Sequence, residues 1–398
     1  MCPYIFKPVG LFRCVNYKQR GEELREIIKK VRNHTFEYVS RESKTTKWTK
    51  YDQAQINEFA DFLDNLREVV DEAERRIIER TPQEKRGPGR PPISPADITK
   101  ALLLQTYTGS PNRVAEGLLL LFREKLGIDQ HFSYKTIERG YDREPVNEIL
   151  DEVNRILNGT VEGTEVTFSF DGSGFSTSQK GAYAASREKQ RATKKSTKQS
   201  ITPGDEGTGG EALPYDTFPP SNVSVKTSFM YSVISVGVRH KLVAGVASCP
   251  DHSIGETTMF PEVFNRTLWC HPKMEVILGD GIYSARWIVD LVAQNEIHPY
   301  FLPRSNVTFK SKGYAGWHTM LFSLQTNPQE WLRIYHMRSI SETVNFMVQC
   351  RFGQTVRKKL DARKDTEVRL KYTAHNIRRF GYLEILEKIR PTWQRKNT

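Results

Sequence analysis

The hydrophobic period changes once along this 398-residue chain, near Val166, and that change limits the possible folds more than any other feature. Ahead of it, apolar residues recur at helical spacing: residues 52–80 carry Phe59, Leu63, Leu66, Val70, Ala73 and Ile77 on one stripe. Further helices are expected over 21–33, 95–107, 111–126, 134–140 and 145–157, the second of these with a Ser-Pro start. Behind Val166 the pattern turns to strands. Residues 166–171 form one, 223–238 and 241–248 form a hairpin turning near His240, and 274–280 and 297–302 follow, with helices over 254–265 and 284–294. This order predicts an α/β fold, a mixed sheet flanked by helices, behind an N-terminal all-α region.

Composition divides the chain further. An N-terminal helical region covers 1–81, and residues 82–95, with Arg86 and Arg90 among glycines and prolines, form a basic linker. Its Gly-Arg-Pro core is similar to the AT-hook, which lays arginine into a narrow minor groove, although Pro88 and Gly89 interrupt the usual pattern; a plain linker is the alternative. Residues 96–160 read as a helix-turn-helix-like DNA-binding region, with Lys135, Thr136, Arg139 and Arg143 free to face phosphates or bases, or else as a supporting bundle. The run Leu118 to Leu121 predicts a helix buried on most sides. The α/β domain spans 161–355, with a flexible basic insertion at 176–220, and 356–398 form a basic C-terminal helical tail.

Lys and Arg number 59 against 47 Asp and Glu, a net charge of +12, which favours a polyanionic partner. With 38% hydrophobic and 27% charged residues the chain is no disordered protein. Five cysteines without a CxxC pair predict a reducing, cytoplasmic setting. The start lacks an uninterrupted apolar core, and the apolar 102–121 region is broken by Gly109, Pro111, Asn112 and Arg113, so neither a signal peptide nor a membrane span is expected.

Two carboxylates stand at expected strand ends, Asp171 in FSFDGSG and Asp280 in VILGDGIYS, each followed by glycine. Hard oxygen ligands of this kind suit Mg²⁺, and the glycine keeps bulk away from an approaching substrate; each Asp-Gly taken singly is more often a turn. A third carboxylate lies in a helix expected over 328–351. There Tyr335, Arg338, Glu342 and Gln349 fall within a roughly 60° arc of one face, flanked by apolar residues that imply a largely buried helix.

The Y-x₂-R-x₃-E spacing of Tyr335, Arg338 and Glu342, together with DGIY at 280–283, resembles the DDE transposases of bacterial and archaeal insertion sequences, whose pattern is Y-x₂-R-x₃-E-x₆-K. The likeness covers about residues 165–390. It implies a ribonuclease-H-like fold and a metal-binding catalytic triad of Asp171, Asp280 and Glu342. It also implies two Mg²⁺ ions about 3.5–4 Å apart, replaceable by Mn²⁺, that serve end cleavage and strand transfer in a cut-and-paste reaction. The implied partners are double-stranded DNA, both the element's terminal inverted repeats and its target, and a second copy of the chain, in the cytoplasm at the nucleoid. Tyr335, Arg338, Gln349, Arg86, Arg90, Lys135 and Arg139 are the candidate DNA contacts. Gln349 stands where the family has lysine and cannot neutralise a phosphate; Arg351 or Arg357, Lys358 and Lys359 are the stand-ins. Trp317 and Trp331 either stack on a flipped base or fill the core. A ribonuclease-H-like nuclease without strand joining would share the triad, and a domesticated DNA-binding protein would be expected to have lost part of it.

Overall fold

The computed structural model describes residues 17–39, 47–81, 93–177, 229–250 and 254–393. Most of the expected linker, with Arg86 and Arg90, and most of the basic insertion lie outside the described residues. The chain is mixed α/β, with a six-stranded sheet of β1 (Thr167–Thr177), β2 (Phe229–Gly237), β3 (Val243–Cys249), β4 (Val276–Gly279), β5 (His298–Phe301) and β6 (Thr355–Val356), in the order β3-β2-β1-β4-β5 with β6 also paired to β1. It divides into two compact units, Met1–Thr45, Thr167–Ser169 and Met274–Ser339 in the smaller, and Thr46–Val166, Phe170–Lys273 and Ile340–Thr398 in the larger.

The larger unit opens with α2 (Trp48–Arg80), α3 (Pro95–Thr108), α4 (Asn112–Phe122), α5 (Tyr134–Gly140) and α6 (Glu144–Gly159), after α1 (Tyr17–Arg32) of the smaller unit. Helix α3 shows why the sequence folds so. The Ser94 hydroxyl caps it by accepting from the Ala96 amide, Pro95 occupies the first turn, and Gly109 ends it at φ +65°. Its apolar residues point in every direction, and Ile98 and Ala101 to Leu104 are all buried. Helix α4 departs from expectation: only Ala115 and Leu119 are buried, while Leu121 is 76% exposed, because α3 and α5 cover one side of it alone.

The strands of this unit are β1 (Thr167–Thr177, from Phe170 onward), β2 (Phe229–Gly237), β3 (Val243–Cys249) and β6 (Thr355–Val356), with helices α7 (Glu256–Cys270), α11 (Ser339–Phe352, from Ile340 onward) and α12 (Asp361–Glu387). β2 and β3 are the expected antiparallel hairpin, and β6 runs parallel to β1, pairing Ser176 with Thr355. A basic helical tail was expected over 356–398; its helix is α12, the most buried long helix of this unit, packed on α2, α3, α6 and β3. Its polar residues look like a solvated surface in sequence but find partners inside. Asn376 exchanges hydrogen bonds with both the amide and carbonyl of Val243, Lys371 donates to the Gly353 and Thr355 carbonyls, and Arg378 pairs with Glu58.

The smaller unit carries β4 (Val276–Gly279) and β5 (His298–Phe301), paired in parallel, with α8 (Arg286–Gln294), α9 (Ala315–Thr326) and α10 (Pro328–Tyr335). Strand β1 serves both units, the first with Thr167–Ser169 and the second from Phe170 onward. Among the described residues no helix is long and apolar enough to cross a membrane, and Cys249, Cys270 and Cys350 are free thiols.

Candidate active site

In the larger unit the sheet and one helix bring Asp171 and Glu342 together. Asp171 was expected to end its strand; β1 instead continues to Thr177, where Ser176 and Thr177 pair with β6. The side-chain amide of Asn345 donates to Oδ2 of Asp171 at 3.2 Å, and the Tyr372 hydroxyl donates to Oδ1 of Asn345 at 2.9 Å. A line of polar groups thus runs from buried Ser232 through Tyr372 and Asn345 to the carboxylate. Burial pushes the Asp171 carboxyl up to about 6; the Asn345 bond opposes this, while Glu342 and Glu256 add like charge.

Glu256 was not anticipated. It is the first residue of α7, where an acidic side chain ordinarily only complements the helix dipole, and nothing in its local sequence relates it to Asp171. Tertiary packing brings it there. A Cβ built on Gly172 would lie 2.3 Å from the Glu256 carboxyl carbon, so the missing side chain at 172 makes the space this carboxylate occupies.

In the smaller unit Asp280 directly follows β4, at the strand end where it was expected, and its side chain is exposed. The motif's Tyr283 is fully buried against Phe301, and Gly279 permits this: a Cβ there would stand 2.8 Å from the Tyr283 ring. Burial raises the Tyr335 phenol, Arg338 opposes the rise, Asp280 adds to it, and Arg32 of α1 opposes it weakly. The Arg338 guanidinium lies over the Tyr335 ring, 5.5 Å from its centre. Arg32 was missed as well; it donates to the Pro303 carbonyl at 3.0 Å, a contact across 271 positions that no local pattern signals.

The continuous helix expected over 328–351 is broken. α10 stops at Tyr335, a 3₁₀ turn covers His336–Arg338, and α11 starts at Ser339. Tyr335, Arg338 and Glu342 therefore stand on three successive elements rather than on one continuous helix. The Ser169 hydroxyl holds this turn by donating to the Arg338 carbonyl at 2.8 Å. Nor is α11 largely buried: Ser341, Val344, Asn345 and Val348 face inward, whereas Glu342 is exposed and Phe346 is 65% exposed.

The remaining candidates divide. Gln349 donates to the Ser173 hydroxyl at 2.8 Å and to the Gly174 carbonyl at 3.5 Å, tying α11 to β1. Lys135 and Arg139 are exposed on α5. Trp317 and Trp331 are both buried, the first donating to the Thr308 carbonyl and the second stacked on Tyr335, so they fill the core. Arg351 lies over the Tyr107 ring at 4.2 Å with Glu58 beside it.

Among the described residues no group of three or more His, Cys, Asp or Glu side chains stands close enough to form a metal shell. Mg²⁺ does not require one, since one or two carboxylates with water and substrate phosphate satisfy it. The donor set fits that ion: the oxygens around Asp171 are hard, and their mutual repulsion is what a divalent cation relieves. No family model matches the chain, and neither does any curated protein or solved structure.

Proposed function

We propose that this chain is a DDE transposase with a ribonuclease-H-like catalytic domain, which cleaves the ends of an insertion sequence and joins them to target DNA. One observation carries the reading: Asp171 is half-buried, held by Asn345, and has the carboxylates of Glu342 and Glu256 as like charges beside it, an arrangement unfavourable without a cation. The Tyr335, Arg338, Glu342 spacing and Asp280 behind β4 agree with it.

Asp171, Asp280 and Glu342 would hold Mg²⁺, with Glu256 as an additional carboxylate beside Asp171. When bound, the metal polarises the scissile phosphate and lowers the pKa of the attacking hydroxyl or water. The chain's residues do the positioning. Asn345 and the Gly172 amide orient the Asp171 carboxylate, and Arg338, whose guanidinium lies over the Tyr335 ring, is the cation of the Y-x₂-R-x₃-E pattern. The partner is double-stranded DNA, first the element's terminal repeats and then the target, and pairing two ends calls for two copies of the chain. A nuclease of the same fold without strand joining is the second reading, since it would use the same carboxylates.

The test is a cleavage and strand-transfer assay on duplexes carrying the nucleotides that flank the gene, with Mg²⁺, Mn²⁺, Ca²⁺ or chelator. Asp171→Ala, Asp280→Ala and Glu342→Ala should each abolish both steps and retain DNA binding. Ca²⁺ should support binding with little turnover. Wild-type rates in any of these variants, or full activity in chelator, would remove the triad; cleavage without joining would favour the nuclease.

A further inference from the structure

The larger unit carries a second feature that the carboxylates do not use. A cleft of ≈ 580 Å³ opens between the α3–α4 turn, Gly109 to Asn112, and the segment from Phe352 to Leu360 that leads into α12. Five cations line it: Arg357, Lys358, Lys359, Arg363 and Lys371. Its two carboxylates are engaged in shaping it. Glu367 accepts the backbone amides of Arg357 and Lys358 at 2.9–3.0 Å, which stiffens the segment and leaves both side-chain charges in place. Glu138 bridges Lys358 and Arg363 at 2.7 and 2.6 Å.

These contacts pre-arrange the cations. Lys358 also lies 3.9 Å from the centre of the Tyr141 ring, the Arg357 guanidinium donates to the Gly109 carbonyl at 2.8 Å, and Lys371 is buried beneath, tied to two carbonyls. Lys359 stands exposed. An ion-pair network that served packing alone would balance its charge; here, even with Asp142 pairing Arg363 from outside the lining, five cations face three carboxylates, and among the described residues Arg357 and Lys359 have no carboxylate in the cleft's ion pairs. A pre-ordered, open, positive cleft suits an anion that accepts several hydrogen bonds at once.

The structure assigns this cleft, we infer, to the phosphodiester backbone of the bound DNA strand. The inference rests on the transposase reading for its ligand and deepens it. From Glu342 to Phe352 helix α11 climbs ten residues, about 15 Å. Along one strand of a duplex that is about four or five nucleotide steps. The cleft therefore lies where a strand whose reacting phosphate sits at the carboxylates would next need holding. It also supplies, several residues further on, the positive charge that Gln349 does not.

The test measures binding of a short labelled duplex in chelator over a range of salt concentrations, so that no chemistry is needed. The variant Arg357→Gln/Lys359→Glu is compared with wild type and with Lys273→Glu, an exposed charge change elsewhere in the same unit. Thermal melting confirms that each is folded. The double variant should bind at least tenfold more weakly, with the slope of log affinity against log salt reduced by about two, while Lys273→Glu stays near wild type. An unchanged slope in the double variant, or an equal loss in Lys273→Glu, overturns the cleft and leaves the catalytic proposal standing. Cleft-dependent binding in a protein that never cleaves DNA overturns the catalytic proposal and supports the cleft. Absence of duplex binding by the wild type overturns both.

Discussion

Asn345 and Asp171 are joined by a hydrogen bond whose direction is set from behind: the Tyr372 hydroxyl occupies Oδ1 of Asn345, so the amide nitrogen must face the carboxylate. The side chain is therefore a positioning group with one available orientation. Asn345→Ala should slow cleavage about ten- to a hundredfold, as loss of a hydrogen bond to a charged group worth about 1.5–3 kcal/mol implies, and leave DNA affinity unchanged. Tyr372→Phe, one bond further away, should cost less. Equal rates in wild type and Asn345→Ala, measured as single-turnover nicking, would remove Asn345 from the site.

Gly172 and Glu256 make a paired test. Gly172→Ala must displace the Glu256 carboxylate, and because that group is the far end of a flexible side chain the fold should survive with a change of at most about 1 kcal/mol. Glu256→Gln should raise the melting temperature in chelator, by removing like charge beside Asp171, and weaken the stabilisation that Mg²⁺ gives. If the two act through the same carboxylate, the double variant will be no worse in turnover than the poorer single one. Strictly additive losses would show that Glu256 is not what Gly172 accommodates.

Stability should fall in acid in two overlapping stages. Burial holds His271 and His375 at about 4 against the usual 6.5, so both are neutral in the fold and the unfolded chain takes up protons first. Their contribution is complete above pH 6.5 and is lost as pH falls toward 4. Burial pushes the Glu58 carboxyl up, but Arg378, Tyr382 and Tyr107 together outweigh it and hold it at about 2 against 4.5. That contribution is complete above 4.5 and is lost toward 2. Thermal melting against pH should show a plateau above 6.5, and Glu58→Gln should lower the plateau and flatten the steepest acid limb. A limb unchanged in this variant would mean that Glu58 titrates normally.

Gln349 binds β1 through its amide, so its removal should register in stability. Gln349→Ala is expected to cost about 1 kcal/mol in chemical denaturation, with DNA affinity and its salt slope intact. Weaker DNA binding at unchanged stability would make Gln349 a DNA contact after all.

Much of this protein is legible in one dimension because its cause is local. The helices over α2 and α3 follow from apolar spacing, a serine cap and a terminal glycine; the β2–β3 hairpin follows from strand-forming residues on either side of His240; Asp280 follows β4 as its motif suggests. These signals act over a few residues, and the backbone answers to them directly. Other features depended on partners far away in the chain. The end of β1 beyond Asp171 pairs with β6, buried polar residues of α12 such as Asn376 and Lys371 meet partners inside, and the helix expected over 328–351 breaks at a 3₁₀ turn held by Ser169. Glu256 reaches Asp171, and Arg32 reaches the surroundings of Tyr335, with no trace in their own neighbourhoods. A carboxylate or a guanidinium reads the same in sequence whether it is solvated or pressed against another charge. Only the packing of the elements that carry it sets its desolvation and its neighbours, and those decide its chemistry.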